Sequence, residues 1–486
     1  MKTAPLLSRD MLLAATEGTV IGESCIDFVC TSVVTDSRAV KAGSLFVPLV
    51  GTQQDGHVYI PDALTHGARA VFVADAEYRR NIARYTAMAQ QHPAVLFIRV
   101  GHTLTALQRA ARAYVAQFPT VQVIGITGSS GKTTTKELLA HILRQTYAVV
   151  ANEGNLNSET GVPLSAFHIT GAHEIGIFEL GMNRAHEIEE TAAIVRPTIG
   201  VVTNIGTAHI GQLGSVQAIA AEKKHVFDYT AKTGAAFIPA AGSCSDFLAA
   251  GVGGHVYYFG RTVPTEKSGV ALVADNGFAG TVFTVDGTVI RLPLPGRHNY
   301  DNALAAVAVA RYMGVSPECI KRGLESFSPL PGRSELIRIS LRTGATVTVL
   351  KDCYNANPDS MACALQLCAE DQRVTQKIFV LGDMGELGAA AQSAHEAVGI
   401  HVAKINPALT FFLGDEMQCA AQAASDRGYT RGVSFPCIDD ETVIQTAAAI
   451  AAATRDGAMI LVKGSRSGAL ERIVTELVDS WGGKNG

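Results

Sequence analysis

A glycine-rich segment that ends in a Lys-Thr pair is the strongest chemical signal in the sequence. Residues 125–135 read GITGSSGKTTT, between an apolar strand-like run (121–126) and a helical stretch with apolar residues on one face (138–143). In such a loop the backbone N–H groups turn towards phosphates, the lysine reaches the β and γ oxygens, and the next hydroxyl binds Mg²⁺. The glycines stand at 125 and 128, so the strict P-loop spacing is missed and a chance glycine-rich turn is the alternative. The residues predicted to bind phosphate are Gly128, Ser129, Ser130, Gly131, Lys132, Thr133 and Thr134.

Two further polar side chains follow apolar strands and are expected at the same edge of a sheet. Glu179 ends the run 175–178, and His209 follows the run 200–205. Ligands of open α/β sheets collect at the carboxyl ends of the strands, and a phosphate loop needs a second magnesium ligand. Glu179 is therefore predicted to bind the metal, with a salt-bridged or helix-capping carboxylate as the alternative. His209 is predicted to be functional, with a structural histidine as the alternative.

Length and composition describe a multidomain globular protein. At roughly 100 to 200 residues per domain, 486 residues predict about three domains. Because 47% of the residues are hydrophobic and only 17% are charged, extensive cores can form, which excludes a disordered or fibrous protein. The net charge of -4 gives no bulk attraction to nucleic acid or to an anionic membrane. No run reaches the roughly 18 uninterrupted apolar residues of a membrane span.

The predicted fold class is α/β, with three domains. Residues 1–118 should form a small mixed α/β domain, because short apolar runs alternate there with polar turns and one helical stretch. Residues 119–332 should form a central P-loop domain, with a parallel sheet covered on both faces. The segment 328–333 contains two prolines and a glycine and is the expected linker and hinge. Residues 333–486 should form a C-terminal Rossmann-like α/β domain.

Cysteine usage and the first residues bear on location. The nine cysteines are scattered without CxxC pairs or zinc-type spacing, which suits reduced thiols and predicts a cytoplasmic protein. Residues 1–16 carry Arg9 and Asp10 around a short apolar run, which predicts a first helix and not a signal peptide.

Several segments occur in the order found in the Mur ligases, which are ATP-dependent amide-forming enzymes of peptidoglycan synthesis. They are TGSSGKTT (127–134), NEGNLNSETGVP (152–163), ELGMN (179–183), TNIGTAH (203–209) and LPGRHNYDN (294–302). TDSR (35–38) and DGH (55–57) extend the similarity to the first predicted domain. The chain resembles this family over nearly its whole length.

Three segments of the third predicted domain are similar to one type of Mur ligase. KDCYNANPDSM (351–361), LGDMGELG (381–388) and KGSR (463–466) resemble the enzyme type that joins D-alanyl-D-alanine to UDP-N-acetylmuramoyl-tripeptide. The resemblance implies that the tripeptide carboxylate attacks the γ-phosphate of ATP, and that the dipeptide amine then displaces phosphate from the acyl phosphate. It implies ATP and Mg²⁺ as cofactors, a role in cell-wall biogenesis, cell shape and cell division, and a monomer.

The same resemblance assigns roles to individual residues. Lys132, His209 and Lys223 would be catalytic, and the metal ligands would be Thr133, Glu179, His209 and Lys223, the last as a carbamate that supplies an anionic oxygen. Lys224 could be confused with Lys223, and His225 stands where an acidic residue is expected. Besides the loop, ATP would be bound by Asn299, Asn302, Arg333, Asp352 and Tyr354. The substrates would be bound by Ser37, Arg38, Asp55, His57, Asn155, Asn157, Asn355 and Asn357.

Plainer interpretations of these residues, and other functions, stay open. Asn299 could cap its helix, and Ser37 and Arg38 could be ordinary turn residues. The third domain could belong to the diamino-acid-adding Mur ligase, although the Asp-Asn-Pro-Arg motif of that enzyme is replaced here by NANPD (355–359), or the chain could be a folylpolyglutamate synthetase. A nucleotide-dependent switch or an inactive scaffold is the alternative from another class.

Overall fold

The structure is a computed structural model that describes residues 6–23, 28–51, 54–340, 346–371 and 373–481. Its strands fall into three groups along the chain, each with its own main sheet. Across these ranges, no helix has both the length and the apolar character needed to cross a membrane.

The first group of strands forms a mixed five-stranded sheet and, from its first and third strands, a separate antiparallel pair. Its elements are β1 (Leu7–Ser8), α1 (Arg9–Thr16), β2 (Thr19–Val20), β3 (Val29–Cys30), β4 (Ser32–Val34), β5 (Ser44–Phe46), α2 (Ile60–Thr65), β6 (Ala70–Ala74), α3 (Asp75–Arg80), α4 (Ile82–Gln91), β7 (Leu96–Val100) and α5 (Thr103–Val115). The strand order is β2-β7-β6-β5-β4, and only β2 is antiparallel to its neighbour. Three helices, α2 to α4, replace the single predicted stretch. Of these, α3 buries no residue and α4 buries only Tyr85.

The second group builds a six-stranded parallel sheet and a smaller antiparallel one. Its elements are β8 (Gln122–Thr127), α6 (Lys132–Leu143), β9 (Val149–Ala151), α7 (Gly161–Ala166), β10 (Ile175–Glu179), α8 (Glu187–Val195), β11 (Ile199–Val202), α9 (Ile210–Leu213), α10 (Val216–Lys224), β12 (Ala235–Pro239), α11 (Ser245–Ala249), β13 (His255–Phe259), α12 (Thr265–Ser268), β14 (Val270–Asp275), β15 (Thr281–Val285), β16 (Thr288–Leu292), α13 (Arg297–Tyr312) and α14 (Pro317–Glu325). The parallel sheet has the order β13-β12-β11-β8-β10-β9. The strand β8 therefore lies between β10 and β11, and the three strands end at one edge.

Three details of this second group differ from the sequence-based expectation. The antiparallel sheet β14-β15-β16 was missed, although β15 alternates buried and half-buried residues as a one-sided strand does. The strand predicted up to Ile205 ends at Val202, because Thr203 and Asn204 turn aside to bond the glycine-rich loop. The helix predicted from Asn302 begins five residues earlier, at Arg297.

The third group forms another six-stranded sheet. Its elements are β17 (Glu335–Ser340), β18 (Thr346–Asp352), α15 (Pro358–Glu370), β19 (Gln376–Gly382), α16 (Ala391–Ile405), β20 (Leu409–Leu413), α17 (Met417–Ser425), β21 (Gly432–Phe435), α18 (Asp440–Ala453), β22 (Ala458–Lys463) and α19 (Glu471–Trp481). The order is β17-β18-β22-β19-β20-β21, with β17 antiparallel and the other strands parallel. Residues 327–334 between α14 and β17 are neither helix nor strand, as predicted for the linker.

The core of the second group fixes the helix that follows the glycine-rich loop. The predicted apolar face of α6 is completely buried against the parallel sheet, α13 and α14. Burying each such leucine or isoleucine side chain stabilises the fold by about 1.5–3 kcal/mol. The start of α6 is therefore held rigidly at the edge where β8, β10 and β11 end.

Candidate active site

The glycine-rich loop joins β8 to α6, and two of its glycines are required by close contacts. Gly128 has a φ of +153°, and a Cβ atom there would lie 1.8 Å from Thr203 Oγ1. Gly131 has a φ of +76°, and its Cβ would lie 2.1 Å from Asn302 Oδ1. Lys132 Nζ donates to the Gly128 carbonyl at 2.8 Å, which folds the lysine over the loop. The loop backbone is thus shaped by its neighbours before any ligand arrives.

Residues just after β11 hold this loop in place. Asn204 Oδ1 accepts a hydrogen bond from the Ser130 N–H at 2.9 Å, and Thr203 Oγ1 donates to the Ser130 carbonyl at 2.6 Å. The Gly206 N–H donates to Ser129 Oγ at 2.9 Å. Thr203 and Asn204 were not among the predicted site residues, although their position at the carboxyl end of a strand was the available signal.

Glu179 ends β10 as a buried carboxylate with one oxygen unpaired. Asn157 Nδ2 donates to Glu179 Oε1 at 2.6 Å, and the Glu179 N–H donates to Asn152 Oδ1 at 2.9 Å. Glu179 Oε2 is buried and has no hydrogen-bond partner among the described residues. Such an orphaned oxygen, in the same cleft as the buried Thr133, fits a hard cation such as Mg²⁺. Over the described ranges no three His, Cys, Asp or Glu side chains cluster, so other oxygens would have to complete the coordination shell.

His209 lies at the same edge and contacts the third group of strands. Its Nδ1 is 2.5 Å from a carboxylate oxygen of Glu386. The contact with His209 lowers the pKa of Glu386, which keeps that carboxylate ionised. His209 itself has a φ of +65°, which is unusual for a residue with a side chain. Glu386 was not among the predicted site residues, although it lies in the segment LGDMGELG (381–388).

The structure separates the two adjacent lysines of α10. Lys223 is fully buried, and its pKa is far below the usual range because of burial, with a further contribution from the charge of Lys132. Lys224 points elsewhere, donating to the Phe247 carbonyl at 2.7 Å and lying 4.6 Å from the centre of the Phe247 ring. Of the two lysines, Lys223 is therefore the one whose charge interacts with that of Lys132.

The third group supplies an aromatic-cation pair and a buried ion pair to the cleft. The Arg333 guanidinium lies 3.9 Å from the centre of the Tyr354 ring. Asp352 accepts hydrogen bonds from the Ser334 N–H at 3.0 Å and from Lys463 Nζ at 2.5 Å. Burial raises the pKa of Asp352, but the Lys463 charge and these hydrogen bonds outweigh burial and leave it lowered. Lys463 was missed as a site residue because its role depends on a partner 111 positions away.

The asparagines at the start of α13 are engaged with the protein itself. Asn299 Nδ2 donates to the Pro295 carbonyl at 2.9 Å, and Asn302 Nδ2 donates to Asn299 Oδ1 at 3.3 Å. The helix is capped at Gly296, so the alternative that Asn299 is its N-cap is wrong. Burial lowers the pKa of the neighbouring His298 to about 4, so its imidazole is neutral at the cleft.

One cleft of about 810 Å³ unites most of the predicted site residues. Those that line it are Ser129, Ser130, Gly131, Lys132, Thr133, Thr134, Asn155, Asn157, Glu179, His209, Asn299, Asn302, Arg333, Asp352, Tyr354, Asn355 and Asn357. Gly128 and Lys223 are not part of its lining, and neither are the four predicted residues of the first group of strands.

Those four residues lie in two local motifs of the first group. Arg38 is exposed and pairs with Asp36 at 2.7 Å, next to the buried Ser37. His57 is buried, with Nδ1 2.5 Å from Asp55 Oδ1 and Nε2 accepting from the Ala74 N–H at 3.0 Å. Both ring nitrogens of His57 are thus engaged in fixing the turn against β6.

Comparison with known families matches the chain in three parts. Residues 30–115 match the Mur ligase family catalytic domain, residues 126–310 the Mur ligase middle domain, and residues 332–466 the Mur ligase glutamate ligase domain. The UDP-N-acetylmuramoyl-tripeptide–D-alanyl-D-alanine ligase of Treponema pallidum is 42% identical over 471 residues, which are 96% of this chain and 98% of the relative. The enzyme of the same name from Bacillus subtilis is 32% identical, over 96% of each chain.

Solved structures show the same fold. MurF from Acinetobacter baumannii superposes with a TM-score of 0.84 at 28% identity, covering 98% of this chain and all (100%) of the other. The Thermotoga maritima MurF ligase, solved in complex with ADP, has a TM-score of 0.76 at 23% identity and covers 93% of this chain and 98% of its own.

We predict that Gly128→Ala abolishes nucleotide binding, because its Cβ would overlap Thr203 Oγ1 and force the loop out of place. Calorimetric titration with an ATP analogue should show an affinity at least about 100-fold weaker, as for a loop that no longer presents its N–H groups. Gly171→Ala is the matched control, since a Cβ there meets no atom within 4 Å. Equal affinity in the two variants would contradict the claim that this loop holds the nucleotide.

Proposed function

Because this chain belongs to the Mur ligase family and is an ATP-dependent ligase that forms amide bonds, we propose that it joins D-alanyl-D-alanine to UDP-N-acetylmuramoyl-tripeptide. The product would be the UDP-muramoyl-pentapeptide precursor of peptidoglycan. The observation that carries the proposal is the single cleft in which the phosphate loop, Glu179 and the third-group motifs 351–361 and 463–466 converge. A ligase needs these groups together, because it must hold a nucleotide and two further reactants at once.

The loop between β8 and α6 would bind the phosphates of ATP. Its backbone N–H groups and the start of α6 offer positive charge to phosphate oxygens. Lys132, now bonded to the Gly128 carbonyl, would exchange that bond for the β and γ oxygens. Asn299 and Asn302 would lie at the adenine, and Arg333, Asp352 and Tyr354 would approach the nucleotide from the third domain.

Thr133, Glu179, His209 and a carbamylated Lys223 would hold magnesium, which when bound neutralises phosphate charge. Support for Lys223 comes from its burial and from the opposite direction taken by Lys224. A neutral amine adds carbon dioxide with loss of one proton, giving a carbamate whose oxygens are anionic. Desolvation of Lys223 favours the neutral amine that this addition requires.

The reaction would bring together two anionic partners. The terminal carboxylate of the tripeptide attacks the γ-phosphorus of ATP, ADP leaves, and an acyl phosphate forms. The dipeptide amine attacks the carbonyl carbon of this acyl phosphate, inorganic phosphate leaves and the amine loses a proton. Both steps concentrate negative charge, so the cations of the cleft would contribute most of the catalysis.

The substrates would be shared among three domains, 1–118, 119–332 and 333–486. The first would bind the UDP-sugar through Ser37, Arg38, Asp55 and His57, where the exposed Arg38 is the residue free to change partners. Asn155 and Asn157 would face the tripeptide, and Asn355 and Asn357 the dipeptide. One copy of each domain suffices for this arrangement, so we expect a monomer.

The assignment is tested by product mass. The protein is incubated with ATP, Mg²⁺ and UDP-N-acetylmuramoyl-tripeptide, and with D-alanyl-D-alanine, meso-diaminopimelate, L-lysine or glutamate in turn. A product only with the dipeptide supports the proposal. Two parallel reactions offer UDP-N-acetylmuramoyl-dipeptide with a diamino acid, and a folate with glutamate. A product in either of these, and none with the tripeptide, would replace the proposal with the corresponding amide-ligase function.

We expect Lys132→Ala to reduce turnover by about 100-fold or more, because the main cation on the phosphates is lost. The fold should survive, since Lys132 lies at a cleft and not in a hydrophobic core. Phosphate release is measured together with a thermal melt, and the exposed Lys267 provides the control variant Lys267→Ala. Near-normal turnover in Lys132→Ala would remove the phosphate-loop assignment.

Lys223→Ala should be almost inactive, and formate or acetate should restore part of the activity by supplying the missing oxygen ligand. Lys224→Ala, one position along the same helix, should keep nearly full activity because its side chain packs on Phe247. Kinetics with and without the small carboxylate measure both effects. Loss of activity in Lys224→Ala with full activity in Lys223→Ala would show that the roles are reversed.

A further inference from the structure

Segment 206–211 carries His209 and is contacted on one side by Asp359, which belongs to the third group of strands. Asp359 Oδ2 accepts a hydrogen bond from the Thr207 N–H at 3.0 Å and lies 3.5 Å from Thr207 Oγ1. The contact is so close that a Cβ on Gly206 would lie 2.0 Å from the same oxygen. Asp359 lies in the first turn of α15, 152 positions along the chain from Thr207.

On its other side, the same segment contacts the loop that follows β19. The Gly211 N–H donates to the Glu386 carbonyl at 3.3 Å, and the Glu386 carboxylate reaches His209 Nδ1 at 2.5 Å. The two backbones touch, because a Cβ on Gly211 would lie 2.6 Å from the Gly388 nitrogen. Side chains larger than hydrogen are thus excluded where the segment meets this loop.

His209, which lies between these two contacts, has a strained backbone conformation. His209 adopts a left-handed φ of +65°, which costs a non-glycine residue about 1–3 kcal/mol and persists only where its surroundings impose it. The Glu386 carboxylate oxygen beside Nδ1 limits where the ring can lie, although among the described residues the pair lacks the alignment of a hydrogen bond.

We propose that Asp359 and Glu386 are positioning residues, which set the His209 imidazole only while the third group of strands is docked on segment 206–211. This inference rests on the proposed function of the cleft. The site would be complete only when the third domain, which is proposed to bind the dipeptide, contacts segment 206–211. Phosphoryl transfer from ATP to the tripeptide would then be slow while the third domain is undocked.

Asp359 has a plainer role that must be separated from this one. An acid in the first turn of a helix also stabilises the helix N-terminus. Glu441 occupies the second position of α18, as Asp359 does in α15, and it is exposed and accepts only from Gln445 within its own helix. Glu441→Ala therefore removes the same helix-terminal charge without touching segment 206–211.

The test compares Asp359→Ala, Asp359→Asn and Glu441→Ala by hydrogen exchange and by kinetics. In Asp359→Ala the amides of a peptide covering 203–213 should exchange about tenfold faster, while other peptides and the melting temperature match Glu441→Ala. The kcat for ligation should fall about tenfold or more with the KM for ATP little changed, because the phosphate loop is intact. Asp359→Asn keeps a carbonyl acceptor for the Thr207 N–H. This variant should therefore show most of the wild-type exchange protection and most of the wild-type kcat.

A second variant disturbs the contact between Asp359 and segment 206–211 by changing the segment instead of Asp359. Gly206→Ala has no positive φ to strain it, and the three atoms nearest to its Cβ all belong to the Asp359 carboxylate. It should reproduce the exchange and kcat effects, and adding Asp359→Ala to it should cause little further loss. The inference would be overturned if Asp359→Ala and Glu441→Ala had the same hydrogen-exchange rates in peptide 203–213 and the same kcat. The exchange readout needs no substrate, so this failure is distinct from a failure to ligate the dipeptide.

Discussion

The site depends on the close backbone approach between the glycine-rich loop and the residues that follow β11. At Gly128 and Gly131 there is no room for a side chain, and the hydrogen bonds of Ser130 with Thr203 and Asn204 fix the loop between them. The buried face of α6 fixes the other end of the loop. A loop held at both ends needs little backbone reorganisation to receive phosphates, which is what electrostatic catalysis requires.

The charges around this loop are unbalanced in the protein alone. Lys223 is fully buried and Lys132 is half-buried, and each has a pKa below its usual range, for which desolvation is the main cause. Glu179 opposes the effect on Lys132, but one of its own oxygens has no hydrogen-bond partner within the part of the chain that the structure describes. Phosphates and a metal ion would supply the missing charges of both signs, so the same imbalance explains why nucleotide and cation should bind together. Asp352 is the contrasting case, because its negative charge is already paired with the Lys463 ammonium group.

Local sequence predicted the elements that carry the site better than the contacts between them. The strand, loop and helix around Lys132 form as predicted because the apolar period, the glycines and the Lys-Thr pair all act within a dozen residues. The partners of the site were missed because they are set by tertiary packing: Glu386 meets His209, and Asp359 meets Thr207, across long stretches of chain. The antiparallel sheet β14-β15-β16 was missed since its outer strands are partly exposed and do not form a continuous buried run. Neither the predicted domain limits nor the residue roles follow from local pattern alone.

The central claim is that the carboxylate of one substrate is activated by phosphate from ATP within this cleft. Its most direct test uses UDP-N-acetylmuramoyl-tripeptide with oxygen-18 in the terminal carboxylate, together with ATP, Mg²⁺ and D-alanyl-D-alanine. Because phosphate departs from the acyl phosphate with an oxygen of that carboxylate, the account predicts one labelled oxygen in each inorganic phosphate released. Amide product formed together with unlabelled phosphate would contradict it.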